Sequence, residues 1–193
     1  MKTIIGLAGV KTSGKSTVAG IIEKLMGNKS TVLESALANK LKEVSAEVFD
    51  VPRDYFDRQD VKEVDFTDGP KILTIQKITE ILNSFNVVVT QDLVSKYELS
   101  GIIGMELPTP RKIAQIVGTE VLRATGNEDI HCENMPVNED GVTIVSDLRF
   151  PNEFTYFQRI GVKGYKFLPL YIQRDEAESH VTADSHPSET SVF

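Results

Sequence analysis

The stretch Gly9-Val10-Lys11-Thr12-Ser13-Gly14-Lys15-Ser16 limits what this chain can fold into more than any other. It follows an apolar run, Thr3-Ile4-Ile5-Gly6-Leu7-Ala8, and precedes a segment of helical periodicity. The residues fit G-x-x-x-x-G-K-[ST], the phosphate-loop pattern in which glycines let the backbone wrap an anion and successive N–H groups converge on its oxygens. The N-terminus of the following helix adds partial positive charge at the same point. In this pattern Lys15 reaches the β- and γ-phosphates of a nucleoside triphosphate and Ser16 holds Mg²⁺. Gly9, Lys11, Thr12, Ser13, Gly14, Lys15, Ser16 and Thr17 are therefore the candidate ATP-phosphate contacts. The plainer reading is a glycine-containing turn between a strand and a helix.

Strand and helix patterns alternate along the rest of the chain. Residues 2–8 read as a buried parallel strand, and residues 15–26 as a helix with Val18, Ile21, Ile22 and Leu25 inward, ended by Gly27-Asn28. A short strand is expected at 30–33. A helix is expected from about Ala38 to Phe49, with Leu37, Leu41, Val44 and Val48 on one face. Residues 50–70, rich in Asp with interspersed Arg and Lys, read as a polar and mobile excursion. Lys71–Phe85 reads as a helix burying Ile75, Ile78, Leu82 and Phe85. Residues 86–90 fit a strand or a helix start, and 101–110 a loop. Arg111–Ala124 is expected to be one helix, with Pro110 near its first turn, Gly126 after it and a stripe of Ile113, Val117 and Val121. A strand over 141–146 leads into Asp147-Leu148-Arg149-Phe150-Pro151-Asn152-Glu153 and a helix closed by Gly161. The strand 165–172 is interrupted in pattern by Pro169. The expected class is α/β, a P-loop NTPase fold with a central, mainly parallel sheet flanked by helices. One domain covers 1–193, with a helical insertion at about 50–108 and a lid-like segment at about 175–193.

In such sheets ligands bind at the carboxyl ends of the strands. Asp147, directly after its expected strand, is then either a magnesium ligand or a cap for the next helix. Arg149 is either a phosphate fork or an ion-pair partner of Glu153 four residues on. Lys42, Arg58, Lys62, Arg111, Arg123 and Arg174 could offset phosphate charge, although each alone is an ordinary surface cation. Gln115 could read a base edge or simply belong to a polar helix face. His131 and Cys132 lack the spacing of a metal site. Cys132 with the distant His180 and His186 has no local support as a nucleophile, and a buried, idle cysteine is the better reading.

The 193 residues are 40% hydrophobic and 25% charged, ordinary for a globular chain with a real core. No run approaches 18 apolar residues, so no membrane span is expected. A single cysteine and the lack of a signal-peptide pattern lead to an expected cytoplasmic setting. The net charge of −7 argues against a nucleic-acid-binding surface, but not against a few cations gathered round one nucleotide.

Together these segments resemble the bacteriophage-type deoxynucleoside monophosphate kinases of the P-loop NMP-kinase-like group. The resemblance rests on Gly9–Thr17, on Ala36-Leu37-Ala38-Asn39-Lys40-Leu41-Lys42-Glu43 with Arg58 and Lys62-Glu63 after it, and on Pro110-Arg111 through Gln115, Gly118-Thr119-Glu120 and Arg123. It also rests on the D-x-R-F-P-N-E segment at 147–153 and on His186-Pro187-Ser188-Glu189. The family often has Asp at the position of Ser16 and Arg at that of Thr12. Its members continue past the His-x-Ser-Glu block into a strand and helix near the adenine, whereas this sequence ends at Phe193, so a short or truncated chain is expected.

The resemblance implies transfer of a phosphoryl group from ATP, with Mg²⁺, to a deoxynucleoside 5′-monophosphate (dNMP) for DNA precursor synthesis, in the host cytoplasm if the chain is phage-encoded. It implies catalytic roles for Lys15, Arg149, Asp147 and Arg123, and metal ligation by Ser16 and Asp147. It implies dNMP contacts from Lys42, Arg58, Arg111, Gln115, Thr119 and Glu153. A monomer or homodimer is expected, without nucleic-acid or membrane partners. The alternatives are another small-molecule P-loop kinase (dephospho-coenzyme A kinase-like or ribonucleotide kinase) and a non-catalytic nucleotide-binding protein.

Overall fold

A computed structural model describes residues 2–10, 13–27, 30–161 and 164–173. The chain is α/β and divides into two compact units, Met1–Leu37 with Met135–Phe193, and Ala38–Asn134. The expected insertion at 50–108 lies within the second unit. Among the described residues no helix is long and apolar enough to cross a membrane.

The first unit is built on β1 (Lys2–Ala8) and α1 (Lys15–Met26), β2 (Val32–Ser35), β5 (Val142–Leu148), α7 (Pro151–Gly161) and β6 (Tyr165–Tyr171). Its four strands form one parallel sheet in the order β2-β5-β1-β6. The unbroken apolar sequence of β1 suits a strand covered on both faces, and Ile4 and Leu7 are fully buried. On one face Ile5, Leu7, Val142 and Ile144 pack with Ala19 of α1. Phe167 of β6 meets Phe154 and Phe157 of α7 at ring-centroid separations of 5.3 and 5.7 Å. The absence of a side chain at Gly6 permits close packing: a Cβ there would lie 2.3 Å from Leu148 Cδ1 and 2.9 Å from Phe167 Cε2.

Several boundaries and faces differ from expectation. On α1 the apolar stripe is Val18, Ala19, Ile22 and Met26, whereas Ile21 and Leu25 are 52% and 68% exposed. Strand β2 begins two residues later than expected. β5 continues to Leu148, so Asp147 lies within the strand rather than after it. The β1–β5 register shifts between Gly6 and Ala8, so Ser146 and Asp147 fall at an irregularity of the ladder. β6 runs through Pro169 because it lies at the sheet edge, where a missing N–H is tolerated.

The second unit is helical, with α2 (Asn39–Phe49), α3 (Ile75–Ser84), α4 (Gln91–Ser100), α5 (Pro110–Ile116) and α6 (Ile130–Glu133), and a small antiparallel ribbon of β3 (Lys71–Ile72) and β4 (Glu106–Leu107). Threonine side chains start three of the helices. The hydroxyls of Thr74, Thr90 and Thr109 accept the N–H groups of Lys77, Leu93 and Lys112. The cap at Thr74 explains why α3 begins at Ile75 and not Lys71; Ile75 itself is 37% exposed. Residues 86–90 are neither strand nor helix, and end in the Thr90 cap.

Residues 50–70, expected to be a mobile excursion, carry a 3-10 turn over Arg53–Phe56 and bury Val51 and Phe56. They are tied to the start of α5, where Phe66 N–H donates to Pro108 O and Arg111 N–H to Lys62 O, both at 2.9 Å. The expected single helix 111–124 is α5, then a π turn (Val117–Leu122) and a 3-10 turn (Arg123–Thr125). Its predicted stripe holds: Ile113, Val117 and Val121 are fully buried.

Gly6→Ala should lower stability by about 1–3 kcal/mol, because Leu148 and Phe167 must shift to admit the methyl group. Urea unfolding measures this; an unchanged midpoint would show that the sheet–α7 layer is looser than its geometry.

Candidate phosphate-binding site

The loop after β1 is shaped by two glycines. Gly9 has φ +150° and Gly14 has φ +97°, conformations that side-chain-bearing residues rarely adopt. At Gly9 space is also limiting, since a Cβ would lie 2.3 Å from the Ile172 carbonyl oxygen and 2.7 Å from Ser13 Oγ. Gly14 is the N-cap of α1 and provides no side-chain cap. The first-turn amides of α1 are therefore left without the usual side-chain acceptor, the arrangement that receives an anion elsewhere. Ser13 Oγ is buried and has no hydrogen-bond partner among the described residues, an orphan polar atom inside the loop of the kind a bound ligand can satisfy. Ser16 and Thr17 are exposed on the first turn. Lys11 and Thr12 lie outside the described residues.

Lys15 Nζ donates to the carbonyls of Gly9 at 2.6 Å and Val10 at 2.7 Å. Burial pushes its pKa below the ordinary lysine value; the positive charge of Arg149 pushes the same way, and Asp147 opposes both. Both of the other expected catalytic groups of this unit thus act on the Lys15 ammonium. Asp147 also accepts the Leu37 N–H at 2.7 Å through Oδ1. It thus meets backbone at the turn after β2.

Glu153 is 3% exposed. Its Oε2 accepts the N–H groups of Arg149 at 2.8 Å and Phe150 at 3.0 Å. The expected relation is a surface ion pair of the Arg149 side chain with Glu153; the contact seen here is a different one, from the Arg149 backbone to a buried carboxylate. The carboxylate fixes the start of α7 and, with it, the base of the Arg149 side chain.

The remaining expected site residues lie in the second unit. Lys42 Nζ donates to Asp57 at 2.7 Å, and Arg53 pairs with the same carboxylate. Burial pushes Asp57 up, but the hydrogen bonds and charges of Lys42 and Arg53 outweigh it and hold the pKa below the usual value. Arg58 pairs with Asp60 and Asp54, and Arg111 with Glu63 at 3.3 Å. Thr119 Oγ1 donates to the Gln115 carbonyl at 2.6 Å. Gln115, Thr119 and Arg123 are each half-buried. Arg58 meets acids two and four residues away, whereas Lys42–Asp57 and Arg111–Glu63 span 15 and 48 residues and carry no local signal.

Among the described residues no group of three His, Cys, Asp or Glu is arranged to hold a metal ion. Cys132 is buried, as expected, and His131 beside it is buried too. The oxygen donors of Ser16 and Asp147 are chemically suited to Mg²⁺, which takes few protein ligands and completes its shell with phosphate and water. Arg174, His180, His186 and the lid-like segment 175–193 lie outside the described residues.

The lowered Lys15 pKa has a stability consequence. Between the native value and the ordinary 10.5, the unfolded chain holds a proton that the native chain has released, so the Lys15 contribution to stability rises with pH across that window. Lys15→Met should flatten this rise in urea unfolding between neutral pH and pH 10.5; parallel profiles for the two proteins would contradict it. No protein-family model matches the chain, and no curated protein sequence matches it.

Proposed function

We propose that this chain has a P-loop NTPase fold and is a deoxynucleoside monophosphate kinase, catalysing ATP + dNMP → ADP + dNDP. The observation that carries the reading is the Gly9–Ser16 loop, with Lys15 lying across its carbonyls at the carboxyl end of a central parallel strand. The sequence likeness at 36–43, 110–123 and 147–153 supports the choice of acceptor.

In this reading the loop and first-turn amides take the ATP phosphates, and Lys15 exchanges two carbonyl oxygens for phosphate oxygens. A partly desolvated ammonium gains more from such an anion than a hydrated one does. Ser16 and Asp147 would hold Mg²⁺, which supplies charge neutralisation on the phosphates. Arg149, held at its backbone by Glu153, would stabilise charge on the transferring group or the acceptor phosphate, as would Arg111 and Arg123. Lys42, Arg58, Gln115 and Thr119 are assigned to dNMP recognition. Catalysis is then alignment and electrostatic stabilisation, with no covalent intermediate.

A coupled ADP-release assay with each dNMP, AMP, dephospho-coenzyme A and no acceptor tests the reading. ADP release should depend on a dNMP. Lys15→Ala should reduce turnover about 100-fold or more, the scale seen when a main transition-state charge partner is removed. Arg149→Ala should impair use of the acceptor more than of ATP. Turnover indifferent to every acceptor would overturn the reading, and dependence on AMP or dephospho-coenzyme A alone would transfer it to another kinase.

A further inference from the structure

The π turn Val117–Leu122 interrupts the helix that carries Gln115, Thr119 and Arg123. An i→i+5 closure adds a residue to the turn and rotates everything after it by about 100° relative to an uninterrupted helix. Such a turn leaves carbonyls without their usual i+4 donors, and buried carbonyls need donors from elsewhere.

Here the donors come from other elements of the same unit. Tyr97 OH on α4 donates to Val121 O at 2.7 Å. Its neighbour Lys96 Nζ donates to Ala124 O. His131 Nε2 on α6 lies 3.4 Å from Gly118 O. The Val121 carbonyl in the π turn and the Ala124 carbonyl in the 3-10 turn after it are thus met from outside, and Tyr97, the donor to the π turn, is 1% exposed. Burial pushes its phenol up to about 12, so it remains a donor across the working pH range. Packing holds the turn as well, since a Cβ on Gly118 would lie 3.2 Å from Leu41 Cδ2.

We infer that Tyr97 is a positioning residue for acceptor recognition. Through the Val121 carbonyl it fixes the rotation of the π turn and so the directions of Thr119 and Arg123. This inference rests on the kinase reading. The extra residue in the turn sets which side chains share the polar face with Gln115. If the turn relaxed towards α geometry, Arg123 would rotate away while the apolar stripe of α5 stayed in place. Tyr97 itself, fully enclosed, acts only through the backbone it holds.

The test is steady-state kinetics with dNMP and ATP varied separately for wild type, Tyr97→Phe, Lys96→Met and Thr74→Ala. The last removes the α3 cap and serves as a purely structural control. Tyr97→Phe should raise KM for the dNMP about 5–10-fold, the equivalent of one lost hydrogen bond, and leave KM for ATP unchanged. Lys96→Met should shift the same constant in the same direction, and carries the test if Tyr97→Phe does not fold. Thr74→Ala should lower the melting temperature and change neither KM. An unchanged acceptor KM in folded Tyr97→Phe, or in Lys96→Met if that is the variant assayed, overturns the inference, as does an equal rise in both KM values. Wild-type turnover that ignores the dNMP overturns the kinase reading itself, and so is distinguished from failure of the Tyr97 role.

Discussion

The ladder on both sides of β1 is the constraint from which the candidate site follows. β1 bonds in parallel to β5 and β6, so the carboxyl ends of the three strands lie along one edge. That alone brings the loop after Ala8, the carboxylate of Asp147 and the Ile172 carbonyl to the same side of the sheet. The close approach of Ile172 O at Gly9 then demands a residue without a side chain, and the positive φ at Gly9 and Gly14 demands the same. The glycines serve this geometry as much as any ligand.

In and around the loop, several groups are held at some cost in stability. Lys15 is partly desolvated and lies near a second cation. Ser13 has a buried hydroxyl without a partner among the described residues. Glu153 keeps its carboxylate in the interior, where two backbone amides compensate it. Unmet or strained polar groups collected at one sheet edge mark it as a candidate functional site. A chain selected for stability alone would replace Lys15 and Ser13 with apolar residues.

The first unit was largely legible in the sequence, because its signals are local. Thr3–Ala8 reads as a buried strand, Gly9–Ser16 as the loop, and Gly161 as the end of α7. The apolar stripe of α1 was not, since periodicity identifies a helix but not which of two adjacent apolar flanks the sheet covers; Ile21 and Leu25 fell on the open one. The β5 boundary failed for a related reason. Asp147 looks like a strand terminator, yet an irregular ladder accommodates it. In the second unit the Thr caps were present as residues but were not distinguished from other threonines. The π turn had no sequence signal: Tyr97 and His131, which lie against its carbonyls, meet it only after folding. The paired states of Lys42 and Arg111 were likewise tertiary facts, decided by Asp57 and Glu63, 15 and 48 residues away, whereas Arg58 pairs locally with Asp60 and Asp54.

The most direct measurement follows the phosphoryl group itself. The protein is incubated with ATP labelled at the γ-phosphorus, Mg²⁺ and each dNMP, and the products are separated. Phosphoryl transfer through the Gly9–Ser16 loop predicts label in the dNDP, absent when Lys15→Ala replaces wild type. Label that appears only as inorganic phosphate, or that stays in ATP with every acceptor, would contradict it.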